Sequence, residues 1–144
     1  MEKREETYVG TEFAEFVDVV RQLRKKCPWD SVQTHESLLK YLENETREVM
    51  QAVEEWKEDL GGSHLCEELG DVLLLVVLHS ILAEEEGLFT IEEMIAGIAQ
   101  KMRFRHPKIF LPENKELINL SWEELKKQEK LLKTEVVTGK SEKT

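Results

Sequence analysis

Cysteine, proline and glycine are scarce in this chain, at two, three and seven of 144 residues. Two cysteines, Cys27 and Cys66, cannot build a disulfide framework and read as reduced thiols of a cytosolic protein. So few prolines and glycines argue against a turn-rich β fold and leave room for long helices. Long hydrophobic runs are also missing. The longest, Val72 to Leu78, falls far short of the ~20 residues that cross a bilayer. The opening residues, MEKREETYVG, are charged and hold no apolar signal core, so the expected location is the cytoplasm, away from membranes. Basic charge is in deficit too, with 20 Lys and Arg against 30 Asp and Glu, a net −10. That excludes an ordinary nucleic-acid-polymer binder, because phosphate backbones are held by basic surfaces. A small phosphorylated ligand stays open, since a bound cation inverts the local sign.

What is present is helix-forming. Charged residues make up 35% and apolar residues 40%, the profile of one globular domain with a real core. Five helical segments are legible from spacing, and no segment reads as a strand. The first runs from about Thr11 to Lys26, with Phe13, Phe16, Val17, Val20 and Leu23 on one stripe, and stops at Pro28. The second runs from about Thr34 to Asp59 on Leu38, Leu42, Val49, Ala52, Val53 and Trp56. Gly61-Gly62 breaks it and offers Ser63 as the next N-cap. The third spans about His64 to Glu86, with a second half apolar all round, which suits a central helix or a subunit interface. The fourth opens on Thr90-Ile-Glu-Glu93, carries Ile91, Met94, Ile95, Ile98 and Met102 inward, and fades at Arg105-His106-Pro107. A loop with Pro112 leads to Ser121-Trp-Glu-Glu124, a second capping box that starts a short last helix. The expectation is an all-α antiparallel bundle of four to five helices over residues 1–133, oligomerising through its helices, with a polar tail over 134–144.

Within that frame four carboxylates stand out. Glu45 and Glu48, and again Glu68 and Asp71, are spaced i, i+3, so each pair shares a helix face. At about 100° per residue Glu45 falls in the apolar stripe of the second helix, and Glu48 at its edge. Asp71 runs directly into the apolar stretch of the third. Such pairs also arise by chance on solvated faces in so acidic a chain, and Glu55 and Glu58 lie mostly off the stripe of the second helix. The ordinary alternative is that the four acids sit on the surface, paired with Arg47 or Lys57. If antiparallel packing brings them together, they repel and lose hydration, and so call for a cation. Oxygen-only ligands favour a hard ion such as Mg²⁺.

At these residues the sequence resembles the MazG family of nucleoside triphosphate pyrophosphohydrolases. The matching blocks run in order: Cys27-Pro-Trp-Asp30 with Gln33-Thr34, Glu45-Thr-Arg-Glu48-Val49, Glu68-Leu-Gly-Asp71, Glu85-Glu86-Gly87, Arg105-His106-Pro107 with Phe110, and Trp122-Glu123. They cover roughly Phe13 to Lys127, and the first block is most like the first domain of tandem members, so the chain looks like a single-domain relative. The resemblance implies an all-α fold that forms a dimer or higher homo-oligomer. It implies cleavage of a nucleoside triphosphate between its α and β phosphates, with Glu45, Glu48, Glu68 and Asp71 as catalytic ligands of Mg²⁺, for which Mn²⁺ can substitute. Two positions depart from the family pattern. Asn44 stands where a further acid is common, and an amide can coordinate a cation but is no base at neutral pH. Phe104 stands where relatives tend to carry another arginine.

Six further residues are candidates for the substrate. Lys101 and Arg105, one turn apart, are either phosphate ligands or cations that complement a helix C-terminus, and the family block favours the first. His106 is a phosphate donor or a turn residue. Trp29 stacks on a base, walls off the site or anchors the loop after the first helix, and Tyr41 faces the cleft or half-fills the core. Trp122 reaches the nucleotide, as the family match implies, or staples the last helix. Two other activities compete with broad triphosphate hydrolysis. One is a narrower pyrophosphatase for dUTP, dCTP or phosphoribosyl-ATP, and the other a non-catalytic nucleotide-sensing or dimerisation domain.

Overall fold

A computed structural model describes residues 7–58 and 61–141, with side chains described over 9–58 and 61–133. Helices α1 (Thr7–Lys26), α2 (His35–Glu55), α3 (Ser63–Glu85), α4 (Ile91–Arg105), α5 (Pro107–Phe110) and α6 (Trp122–Ser141) account for most of it. Single 3-10 turns stand at Asp30–Val32 and Leu117–Asn119, and no strand occurs among the described residues. No helix among them is long and apolar enough to cross a membrane. The chain divides into two compact units, one ending at Ile91 and the other starting at Glu92.

The first unit is built on α3. Leu75, Val77, Leu78, Ile81, Leu82 and Ala83 are all buried, so the expected central helix is present. Leu38 and Ala52 of α2 and Val20 of α1 complete the core. α2 runs antiparallel to α3, as residues 35 and 79, 45 and 68, and 55 and 64 meet in reverse order. Its start is fixed by a capping box: Ser37 N–H donates to Thr34 Oγ1 and Thr34 N–H to Ser37 Oγ. α1 is tied to the far end of α3 by Arg21–Glu84 and Arg24–Glu85, at 2.9 and 3.0 Å.

Several boundaries differ from expectation. α1 starts at Thr7 rather than Thr11. α2 ends at Glu55, leaving Val53 and Trp56 exposed, while Asp59, its expected end, lies outside the described residues. Ser63 is the first residue of α3 and not its cap. Gly62 caps the helix at φ +65°, a left-handed conformation that an L side chain resists. Gly87, at φ +72°, ends α3 with the paired bonds of a left-handed C-cap, Leu88 N–H to Ala83 O and Gly87 N–H to Glu84 O.

In the second unit, Ser121 and Glu124 form the expected capping box of α6, at 2.8 and 3.2 Å. The expected loop after Arg105 holds instead the one-turn α5, which Pro107 opens at its first position. α6 is longer than expected: its backbone stays helical to Ser141, through residues read as the start of a polar tail, because no breaker intervenes before Gly139. The side chains of 134–141 and all of 142–144 lie outside the described residues. Ile95 and Ile98 of α4, expected inside, are exposed, and only Ile91 of that stripe is buried.

Candidate metal centre

The antiparallel pairing of α2 and α3 brings both acid pairs together. One carboxylate oxygen from each of Glu45, Glu48, Glu68 and Asp71 lies within 4.8 Å of the others. Glu68 is buried and its three neighbours half-buried. The alternative pairing with Arg47 does not occur, because Arg47 reaches Glu43 at 2.5 Å, one turn back along the exposed side of α2. Two oxygens, Glu45 Oε2 and Glu68 Oε2, are buried without a hydrogen-bond partner. An orphaned buried carboxylate oxygen is costly and uncommon.

The charge state reflects the crowding. A hydrogen bond with Glu48, then burial, then the charges of Glu48 and Asp71 push the Glu68 carboxyl up to about 7, against a smaller pull from His64. Burial and the same two neighbours raise Glu45. With no cation the centre keeps protons that carboxylates ordinarily lose near pH 4. Oxygen-only donors, unmet lone pairs and surplus negative charge all suit a hard divalent ion, so the residues fit the metal that the sequence suggested.

Two neighbours act on these acids. His64, which stands in no motif, sets Nε2 at 3.2 Å from Glu68 Oε1 and Nδ1 at 3.4 Å from Glu55 Oε2. Its i, i+4 spacing to Glu68 was the available signal. Asn44 Nδ2 donates to Glu48 Oε1 at 3.3 Å.

Trp29 and Tyr41 lie in the same unit and meet edge to face at 5.2 Å. The loop that carries Trp29 is pinned: Arg24 donates to the carbonyls of Asp30 and Gln33, and Gln33 Nε2 donates to the carbonyl of Trp29. The indole is nonetheless 44% exposed, so anchoring the loop leaves it a free face.

In the second unit Arg105, His106 and Trp122 gather at a cavity of ≈ 350 Å³. The Arg105 guanidinium lies 5.3 Å over the Trp122 ring, and His106 meets that ring at 5.5 Å. His106 Nδ1 also reaches the Met102 carbonyl at 2.7 Å, which suits the turn reading. Lys101 lines a neighbouring groove with Phe104, Glu129 and Lys133. Arg105 has a partner that its own helix does not reveal: its Nε donates to Glu129 Oε2 at 2.7 Å. Glu129 was missed, although it stands one turn beyond the buried Leu125 on the same stripe of α6.

These features define a class, an all-helical protein with a cluster of four carboxylates, of a kind that can hold a metal ion, on one antiparallel helix pair. The model of the MazG nucleotide pyrophosphohydrolase domain matches residues 33–110, and the chain belongs to that family. It is 42% identical over 84% of its length to the nucleoside triphosphate pyrophosphohydrolase/pyrophosphatase MazG of Thermotoga maritima. It is 36% identical over 81% of its length to the nucleoside triphosphate pyrophosphohydrolase of Escherichia coli, and 45% identical over 88% to the uncharacterized protein YabN of Bacillus subtilis. The chain spans only 46%, 44% and 26% of those three proteins, respectively. Its fold is similar to the crystal structure of a mazG-related protein from Thermotoga maritima, with TM-score 0.63 and 31% identity over 79% of this chain and 98% of that one.

Proposed function

We propose that the chain hydrolyses nucleoside triphosphates between the α and β phosphates, releasing a nucleoside monophosphate and pyrophosphate, as a cleansing activity on the nucleotide pool. The observation that carries this reading is the meeting of four carboxylates within 4.8 Å, two of their oxygens buried without a partner. Glu45, Glu48, Glu68 and Asp71 would hold Mg²⁺, or Mn²⁺ in its place. A divalent ion there would supply charge against the triphosphate and make water easier to deprotonate. Glu48, less buried than Glu68 and held by the Asn44 amide, is the acid we assign to take the proton of the attacking water. The water oxygen then bonds to the α phosphorus as the α–β bridging bond breaks. Within the second unit, Lys101, Arg105 and His106 are assigned to phosphate and Trp122 to the base or sugar; within the first, Trp29 and Tyr41 are assigned to the base or sugar, where flat aromatic faces suit a nucleobase.

Homo-oligomerisation is part of the proposal. Leu69, Leu73 and Val76 form an exposed i, i+4, i+7 stripe on α3, the kind of face that a second copy covers. A monomer by light scattering at micromolar concentration would count against it.

The test is to incubate the protein with ATP and Mg²⁺ and to look for pyrophosphate rather than orthophosphate. Glu45→Gln and Asp71→Asn should each lower turnover at least roughly 100-fold, since even outer-shell losses at metal sites cost 10–100-fold. Undiminished turnover in both would defeat the assignment. Nucleotide binding without any product would favour the sensing reading, to which Asn44, standing in place of an acid, lends support. A panel of dUTP, dCTP and phosphoribosyl-ATP separates broad from narrow hydrolysis.

A further inference from the structure

Arg105 and Glu129 form an ion pair whose side chains are 10% and 9% exposed. Burying both charges is expensive, and a well-packed apolar pair serves stability as well or better. The pair therefore asks for a reason other than holding α4 to α6. Its geometry supplies one. Glu129 meets the guanidinium at Nε, the base of the fork, and not at its terminal nitrogens. A bond there fixes the guanidinium plane while leaving the terminal nitrogens outside the pair. The Trp122 ring backs that plane at 5.3 Å, and Arg105, Lys108, His106 and Trp122 share the wall of one cavity. Glu129 is itself held fast, because Lys133 Nζ takes its other oxygen at 3.1 Å. Arg105 and Lys133 keep the carboxyl below the usual range in spite of burial, so it stays an anion.

We infer that Glu129 is a positioning residue: clamped by Lys133, it holds Arg105 by Nε over Trp122 so that the terminal nitrogens of the guanidinium meet a phosphate of the bound nucleotide. This rests on the proposed nucleotide role of Arg105 and Trp122. It makes a claim opposite in sign to simple electrostatics. Removing a negative charge beside an arginine should tighten phosphate binding if charge alone matters. If position matters, it should weaken it.

The experiment is calorimetric titration of the full chain with α,β-methylene-ATP in Mg²⁺, with thermal melts in parallel. Glu129→Gln keeps the size and an acceptor oxygen, so a modest loss of affinity is expected. Glu129→Ala should lose roughly 10-fold, the low end for removing a residue that orients a ligand group. Lys133→Met should lose less than either. In spectra of ¹⁵N-labelled arginine, the Arg105 Nε–H should exchange slowly in the parent and fast in Glu129→Ala. Should Glu129→Ala not fold, Glu129→Gln and Lys133→Met carry the test. Unchanged or tighter binding in these variants, while Arg105→Ala weakens it, would overturn the positioning role. Unchanged binding in Arg105→Ala would overturn the nucleotide role of Arg105 itself, and the inference with it.

Discussion

Glu68 on the α2–α3 seam and Glu129 on α6 are almost equally buried, at 8% and 7% exposure, yet their carboxyls shift in opposite directions. Glu68 is pushed up to about 7 by a hydrogen bond with Glu48, burial and the charges of Glu48 and Asp71, whereas Arg105 and Lys133 bring Glu129 down. Burial alone therefore does not set the charge of a carboxylate in this molecule; its partners do. The second unit carries its own counter-charges and is complete as it stands. The acid seam has a surplus of anions and orphaned oxygens, and a cation from outside would complete it.

Removing a partner should separate the two regions most sharply. Glu129→Leu leaves Arg105 buried without its anion, which should cost about 3 kcal/mol in urea unfolding. Glu68→Leu, measured in a chelator, removes a repelled charge from an equally buried position and should cost far less or stabilise. Equal losses at both positions would remove the distinction.

Metal should produce the next largest effect, and in one region only. Mg²⁺ at about 100 times its dissociation constant should stabilise the parent by roughly 2.7 kcal/mol. The same increment should appear in Arg105→Lys and vanish in Glu45→Gln. Stabilisation that survives Glu45→Gln would place the ion elsewhere.

The contrast also marks how far the sequence could be read. Glu45 was legible because it interrupts an apolar stripe, and Asp71 because it borders Val72 to Leu78. Both signals are local to one helix. The meeting of the pairs followed from a short connection that forces α2 and α3 to be antiparallel neighbours. Arg105 with Glu129 was not legible, since the partner lies 24 residues away on another helix and only the fold of the second unit brings them together. The α4 stripe misled for a related reason. Periodicity predicts an apolar face, and Ile95 and Ile98 do form one, but it does not say what covers that face. His35 and His79 also escaped notice, as neither sits in a motif; their Nδ1 atoms lie 2.7 Å apart across the seam.

That histidine pair gives the smallest expected effect, and its sign opposes that of the acids. Glu68, raised to about 7 from an ordinary 4.5, binds protons more readily folded than unfolded. Through Glu68, stability of the metal-free protein should therefore rise as pH falls from about 7 towards 4.5. His79 is shifted the other way: burial and the nearby His35 lower it below 6.5. The unfolded chain then takes the proton first, so His79 should cost stability as pH falls below 6.5. The shared Nδ1 contact needs one donor and one acceptor, and a doubly protonated pair cannot make it. In the parent the two slopes should partly cancel between pH 6.5 and 5. Glu68→Gln should expose the fall on acidification, and His79→Gln should steepen the rise. Urea midpoints in EDTA from pH 8 to pH 5 measure both. If each variant keeps the parent's pH profile, neither the acid crowding nor the histidine contact contributes measurably to the stability of the seam.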